Sequence, residues 1–148
     1  MTARFNELVT ERLREGARTA LLAAGVAADD LTEVWVPGAL ELPLAALWLA
    51  RSGRHDAIVV LGAVIRGGTD HYEHVCTQAA RGLLDTSLRT GVPIGFGLLT
   101  CENLDQAIAR AGGGSDADGA SDEGSNKGED AALAALAMLE VRDEHASD

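Results

Sequence analysis

The chain has 148 residues, enough for one domain with a real core, and carries a formal charge of −11. That surplus excludes a general affinity for nucleic-acid backbones or anionic membranes. No apolar run reaches the ~20 residues of a membrane span and no signal-peptide pattern opens the sequence. Cys76 and Cys101 lack the spacing of a zinc or redox motif, and two free thiols without an export signal point to the cytoplasm. Of the basic residues eleven are arginine and one is lysine, Lys127.

In chain order, residues 6–24 predict a helix. Asn6 is its N-cap, Leu8, Val9, Leu13, Ala17, Ala20 and Leu21 form its apolar stripe, and Gly25 is its stop. A short strand at 32–36 is closed by Pro37-Gly38, and a helix over 40–53 tolerates Pro43 in its first turn. "AIVVLGAVI" (57–65) is continuously apolar and β-branched, the pattern of a strand buried on both faces. A helix from His71, a strand at 93–100 and a shorter helix at 103–111 follow. The Gly/Ser/Asp segment 112–125 is low-complexity and expected to be mobile. Asp116 and Asp118 start like a calcium loop, but Ala120, Ser121 and Lys127 stand where its ligands and glycine belong. A last helix opens at "NKGED", and the acidic tail 142–148 is expected to fray.

Strands alternating with helices imply an α/β protein, a parallel sheet covered on both faces. Ligands of such sheets gather at the carboxyl ends of the strands. That rule selects Pro37–Glu41, Arg66–His71 and Thr100–Asn103. "MTARFN" runs directly into the first helix, so a sheet of three strands, or a sequence that starts late, is expected.

The turn "RGGTDHYEH" (66–74) is the densest chemistry. Gly67 and Gly68 permit φ > 0 and close backbone approach, Thr69 adds a hydroxyl, and the helix behind offers unpaired amides: a cradle for one phosphate. The alternative is a plain turn in which Asp70 caps the helix and Glu73 completes a capping box. His71 could exchange protons near neutrality, or be an ordinary solvated histidine. Arg110 could hold an anion, or simply complement a helix C-terminus; Glu41 could accept a ligand's N–H groups, or sit in a helix first turn. Lys127 opens a helix, where the dipole disfavours a cation, which makes a functional reason for it attractive. A metal shared by His71 and His74 lacks a third ligand.

The blocks "RFNELVTERL", "WVPGALELPLAA", "LGAVIRGGTDHYEHVC", "GVPIGFGLLTCENLDQAIARAG" and "NKGEDAALAALAM" together resemble lumazine synthases, in order and over nearly the whole chain. The resemblance implies a three-layer α/β/α sandwich with flavodoxin-like strand order, in which the first strand would lie inside the sheet. It implies condensation of 5-amino-6-(D-ribitylamino)uracil with 3,4-dihydroxy-2-butanone 4-phosphate to 6,7-dimethyl-8-ribityllumazine, without cofactor or metal. His71 then matches the proton-transfer residue; Gly68, Thr69 and Arg110 match phosphate-binding positions. Phe5 matches the ring that stacks on the pyrimidine, and Ala39, Leu40, Glu41, Val64 and Ile65 match residues holding uracil and ribityl chain. Phe96 and Lys127, with Arg110, match positions reaching the site from a neighbouring subunit. The family forms pentamers, some closed into icosahedral shells, and riboflavin synthase is a candidate partner. Three rivals stay open: a riboflavin synthase of the archaeal type, an assembly that has lost catalysis, and a simple anion-binding module.

Overall fold

A computed structural model describes residues 1–113 and 125–146. The elements are β1 (Thr2–Ala3), α1 (Glu7–Ala23), β2 (Trp35–Val36), α2 (Leu42–Arg51), β3 (Ile58–Ile65), α3 (His71–Thr90), β4 (Ile94–Cys101), α4 (Leu104–Arg110) and α5 (Lys127–His145). Single 3-10 turns at Ala28–Asp30 and Ala39–Glu41 precede β2 and α2.

The sheet is parallel throughout and runs β2-β1-β3-β4. The expectation of a missing first strand is therefore corrected. Thr2 and Ala3 are that strand, and they lie inside the sheet with Thr2 opposite both Trp35 and Leu61. Two residues give too little alternation to be read as a strand from sequence. What makes them one is tertiary: Thr2 N–H donates to Val34 O (2.8 Å), and Leu61 N–H donates to Met1 O (2.9 Å). Both residues are buried.

Two cores flank the sheet. On one face Leu42, Ala46 and Ala50 of α2 and Val75, Ala79 and Leu83 of α3 pack on Ile58, Val60 and Leu98. On the other, Val9, Leu13, Ala17 and Ala20 of α1, Ala107 of α4 and Ala132 of α5 pack on Leu61, Ala63, Leu99 and Cys101. This alternation along β3 and β4 yields the three layers. Leu8, expected in the α1 stripe, is exposed instead; it sits one position ahead of Val9, which takes the inward direction.

Boundaries moved where local chemistry was misread. β2 holds only the last two of the five residues expected, and α2 begins at Leu42 with Pro43 in its first turn, where its missing N–H costs nothing. Asn6 does not cap α1 with its side chain; it takes a left-handed φ of 61° and its Nδ2 donates to Ala63 O at 2.8 Å. Gly25 and Gly91 follow their helices at φ 92° and 70°, conformations that cost glycine little. Of the acidic segment expected to be mobile, residues 114–124 lie outside the described ones. α5 continues to His145, taking in the first four residues of the tail expected to fray, while 147–148 lie outside the described residues.

Candidate functional site at the carboxyl edge of the sheet

The ladder continues past β1 and fixes the first site element. Arg4 N–H donates to Val36 O (2.8 Å) and Phe5 N–H to Pro37 O (3.1 Å), while Asn6 ties the same stretch to Ala63 on β3. The Phe5 backbone is thus held from two strands while its ring stays 73% exposed. Arg4 packs its guanidinium 5.0 Å from the centre of the Trp35 ring.

Beside it, the chain leaves β2 through an extended Gly38 into the 3-10 turn Ala39–Glu41. Ala39 is buried and anchors that turn, which leaves Leu40 and Glu41 exposed. The Glu41 carboxylate leans over Gly38, where an added Cβ would lie 3.2 Å from Oε2. β3 supplies Val64 and Ile65, both half-buried at its carboxyl end.

Next comes the turn 66–70. Arg66 N–H donates to Cys101 O (2.9 Å), extending the β3–β4 ladder one residue. Gly67 and Gly68 do not adopt the positive φ expected of them, so conformation is not what requires glycine here. A Cβ added at either would meet nothing within 4 Å: the space over their backbone is open. Thr69, Asp70 and His71 are exposed beside them, and His71 is the first residue of α3.

The capping box expected of Asp70 and Glu73 does not form. Asp70 makes no side-chain cap, and Glu73 Oε1 turns instead to Arg66 Nη1 at 3.5 Å. Arg66 also binds Glu102 through Nε at 2.8 Å and lies over the Tyr72 ring, 4.3 Å from its centre. The hydrogen bonds that the guanidinium donates to Glu102 and Glu73 hold its pKa above the ordinary arginine range. Burial pushes the Tyr72 phenol up, against a hydrogen bond to Thr100, and burial also raises the Cys76 thiol below it. One arginine thereby joins the end of β4 to the first turn of α3, across the open glycines. The sequence places Arg66 at the start of the selected turn Arg66–His71 but gives it no role of its own.

A reciprocal cap close to a capping box exists nearby, its return bond shifted to the residue before the cap, and the pattern N-x-x-Q could have found it. Asn103 Oδ1 accepts from Gln106 N–H (2.9 Å) while Gln106 Oε1 accepts from Glu102 N–H (3.0 Å). It fixes the start of α4, whose last residue is Arg110. Arg110 Nη1 donates to the Gln106 carbonyl at 3.4 Å, the helix C-terminal contact weighed from sequence. Lys127, an odd cation for a helix N-terminus, is balanced locally: Nζ lies 2.9 Å from Asp130 Oδ2 and 3.3 Å from Ser125 Oγ.

Asn126 is the other residue that sequence reading missed. Its Oδ1 caps α5 through Gly128 N–H (2.8 Å), and its Nδ2 donates to Arg12 O (2.8 Å) and Ala111 O (3.0 Å). One side chain thereby joins the start of α5 and the end of α4 to the backbone of α1 within its second turn, and places Arg110 and Lys127 at a common corner. Phe96 stands apart. It pairs with Val60 in mid-strand, four residues and roughly 13 Å back from Thr100, and is 49% exposed on the edge strand. Within one chain, then, Phe5, Ala39–Glu41, Val64–Ile65 and the turn to His71 share the carboxyl edge, and Phe96 does not.

A parallel sheet with its exposed polar groups at that edge is shared by many enzymes, so sequence identity must decide among them. The family described as 6,7-dimethyl-8-ribityllumazine synthase matches residues 1–143. The chain belongs to that family. Its members are transferases, and the family's activity is the formation of the ribityllumazine in riboflavin biosynthesis. Among the described residues no helix is long and apolar enough to cross a membrane.

Proposed function

We propose that the chain joins 5-amino-6-(D-ribitylamino)uracil to 3,4-dihydroxy-2-butanone 4-phosphate, releasing phosphate and water, as a single synthase domain working in the cytoplasm. The observation that carries this reading is the open backbone over Gly67 and Gly68, with Thr69 and His71 exposed directly beside it. A phosphate set over those amides would be met by the Thr69 hydroxyl and by the amino end of a 20-residue helix, α3.

The remaining roles follow from chemistry. Amine attack on a ketone, dehydration and phosphate loss need repeated proton transfers, which suit His71. The exposed Phe5 ring offers a face for the pyrimidine, and the Glu41 carboxylate can accept its N–H groups. Leu40, Ala39, Val64 and Ile65 would line the ribityl side. Arg110, whose planar donors match phosphate oxygens, Phe96 and Lys127 would complete the site of an adjacent subunit. Trp48 at 65% and Leu88 at 76% exposure are large apolar groups that a pentamer-based assembly would cover. Riboflavin synthase, which uses the product, is the natural partner.

The test is lumazine formation, followed by absorbance, from purified chain and both substrates. Arg110→Ala should raise the KM for the butanone phosphate by roughly 10–100-fold, the worth of one charge-assisted hydrogen bond. The KM for the pyrimidine should change little. Equal changes for both substrates would remove the phosphate role.

A further inference from the structure

The helix that begins at His71 starts without a side-chain cap, since Asp70 supplies none. A helix start leaves amides unpaired and frays unless something holds it. Here the hold comes from outside α3. Arg66 Nη1 meets Glu73 Oε1 at 3.5 Å, and the same guanidinium lies 4.3 Å from the centre of the Tyr72 ring. Tyr72 and Glu73 are the two residues that follow His71 directly.

The other end of this contact is fixed. Arg66 N–H donates to Cys101 O at 2.9 Å, so its backbone belongs to the ladder of β3 and β4. Its Nε lies 2.8 Å from Glu102 Oε2, and Glu102 N–H donates to Gln106 Oε1 (3.0 Å) at the start of α4. The guanidinium therefore stands on the end of β4 and reaches the first turn of α3, passing over residues 67–70.

The charges separate a brace from a ligand. Arg66 adjoins the glycine turn, where a free guanidinium would attract a phosphate. This one stands between two carboxylates, Glu102 and Glu73, so a further anion meets more negative than positive charge. Exposed ion pairs of this kind add little to global stability. What they can do is keep one helix turn in one place.

We propose that Arg66 is a positioning residue: held by Glu102 at the end of β4, it fixes the first turn of α3 through Glu73 and Tyr72, and so sets where His71 stands beside the open glycines. The proposal rests on the proton-transfer role given to His71 above. It gives Arg66 no contact with substrate.

The test compares Arg66→Met, Glu102→Ala and the double variant with the unaltered full chain. It reads kcat, both KM values, the melting temperature and hydrogen exchange at the Glu73 amide, which donates to Asp70 O at 3.2 Å. Each single variant should lower kcat roughly tenfold with both KM values within about twofold, because the displaced group moves protons and does not bind. The double variant should lose about as much as either single one, since the two residues act as a unit. Glu73 should exchange about fivefold faster or more in each variant, while the melting temperature stays within about 2 °C.

A direct phosphate contact would give opposite signs. Arg66→Met would then raise the KM for the butanone phosphate, and Glu102→Ala, by freeing the guanidinium, would lower it. That pattern would overturn the positioning role, as would an unchanged kcat in both single variants. If the unaltered chain forms no lumazine, the reading of the site has failed. The brace is then judged by Glu73 exchange alone, faster exchange upholding it and unchanged exchange overturning it.

Discussion

The seam between α5 and its neighbours is closed by glycines, whereas the turn after β3 is held open by them. A Cβ on Gly128 would fall on the Leu13 carbonyl, one on Gly95 on the Ala131 carbonyl, and one on Gly16 on the Asn126 side chain. A Cβ on Gly67 or Gly68 would touch nothing. At the seam, glycine lets backbones of α1, α5 and β4 meet directly, so the corner carrying Asn126 and Lys127 has one position. At the turn, glycine contributes nothing to packing and leaves room for another molecule. The same residue type closes the packing in one place and leaves the backbone uncovered in the other.

Gly128→Ala tests the first half and should have the largest effect. Helix propensity alone would favour alanine by about 0.5–1 kcal/mol. The clash with a backbone carbonyl, which no side-chain rotation relieves, should outweigh that gain and destabilise by roughly 2–3 kcal/mol net. The melting temperature should then fall by about 5–10 °C. An unchanged melting temperature would mean that α5 can slide on α1 and that the seam is not fixed.

His71→Ala should do the reverse. The side chain is exposed at the amino end of α3, so stability should stay within about 0.5 kcal/mol. Turnover should drop by roughly 100-fold or more, the usual worth of a positioned proton-transfer group. Unchanged turnover would place the proton shuttle elsewhere. The smallest effect belongs to Gly68→Ala. Stability should be almost unaffected, but a methyl over the open backbone should raise the KM for the phosphorylated substrate by roughly 3–10-fold. A large loss of stability there, with KM unaltered, would erase the contrast between the two sets of glycines.

The periodic elements were legible because periodicity survives without context. Ile58–Ile65 announces a buried strand by its unbroken apolar run, and α1, α3 and α5 by spacing. The blocks around Arg66–His74 and Asn103–Arg110 were specific enough to suggest the family, and they lie where parallel sheets bind ligands. Side-chain partners were not legible. Asn6 passed for a helix cap until β3 offered it the Ala63 carbonyl, and Glu73 left its own helix end for Arg66. Local rules name every partner a polar group could take, whereas the fold decides which of them lies within 3 Å.

The sequence by itself determined the α/β class, the helix and strand order from α1 onward, and the family, because these rest on local periodicity and on motif spacing. Only the tertiary structure decided that Thr2 and Ala3 form the central strand. A two-residue strand has no pattern of its own and exists through the backbone bonds that Val34, Val36 and Leu61 supply. The same holds for Asn126, whose importance comes from the α1 backbone at Arg12, 114 positions away, meeting the end of α4 and the start of α5 at one side chain.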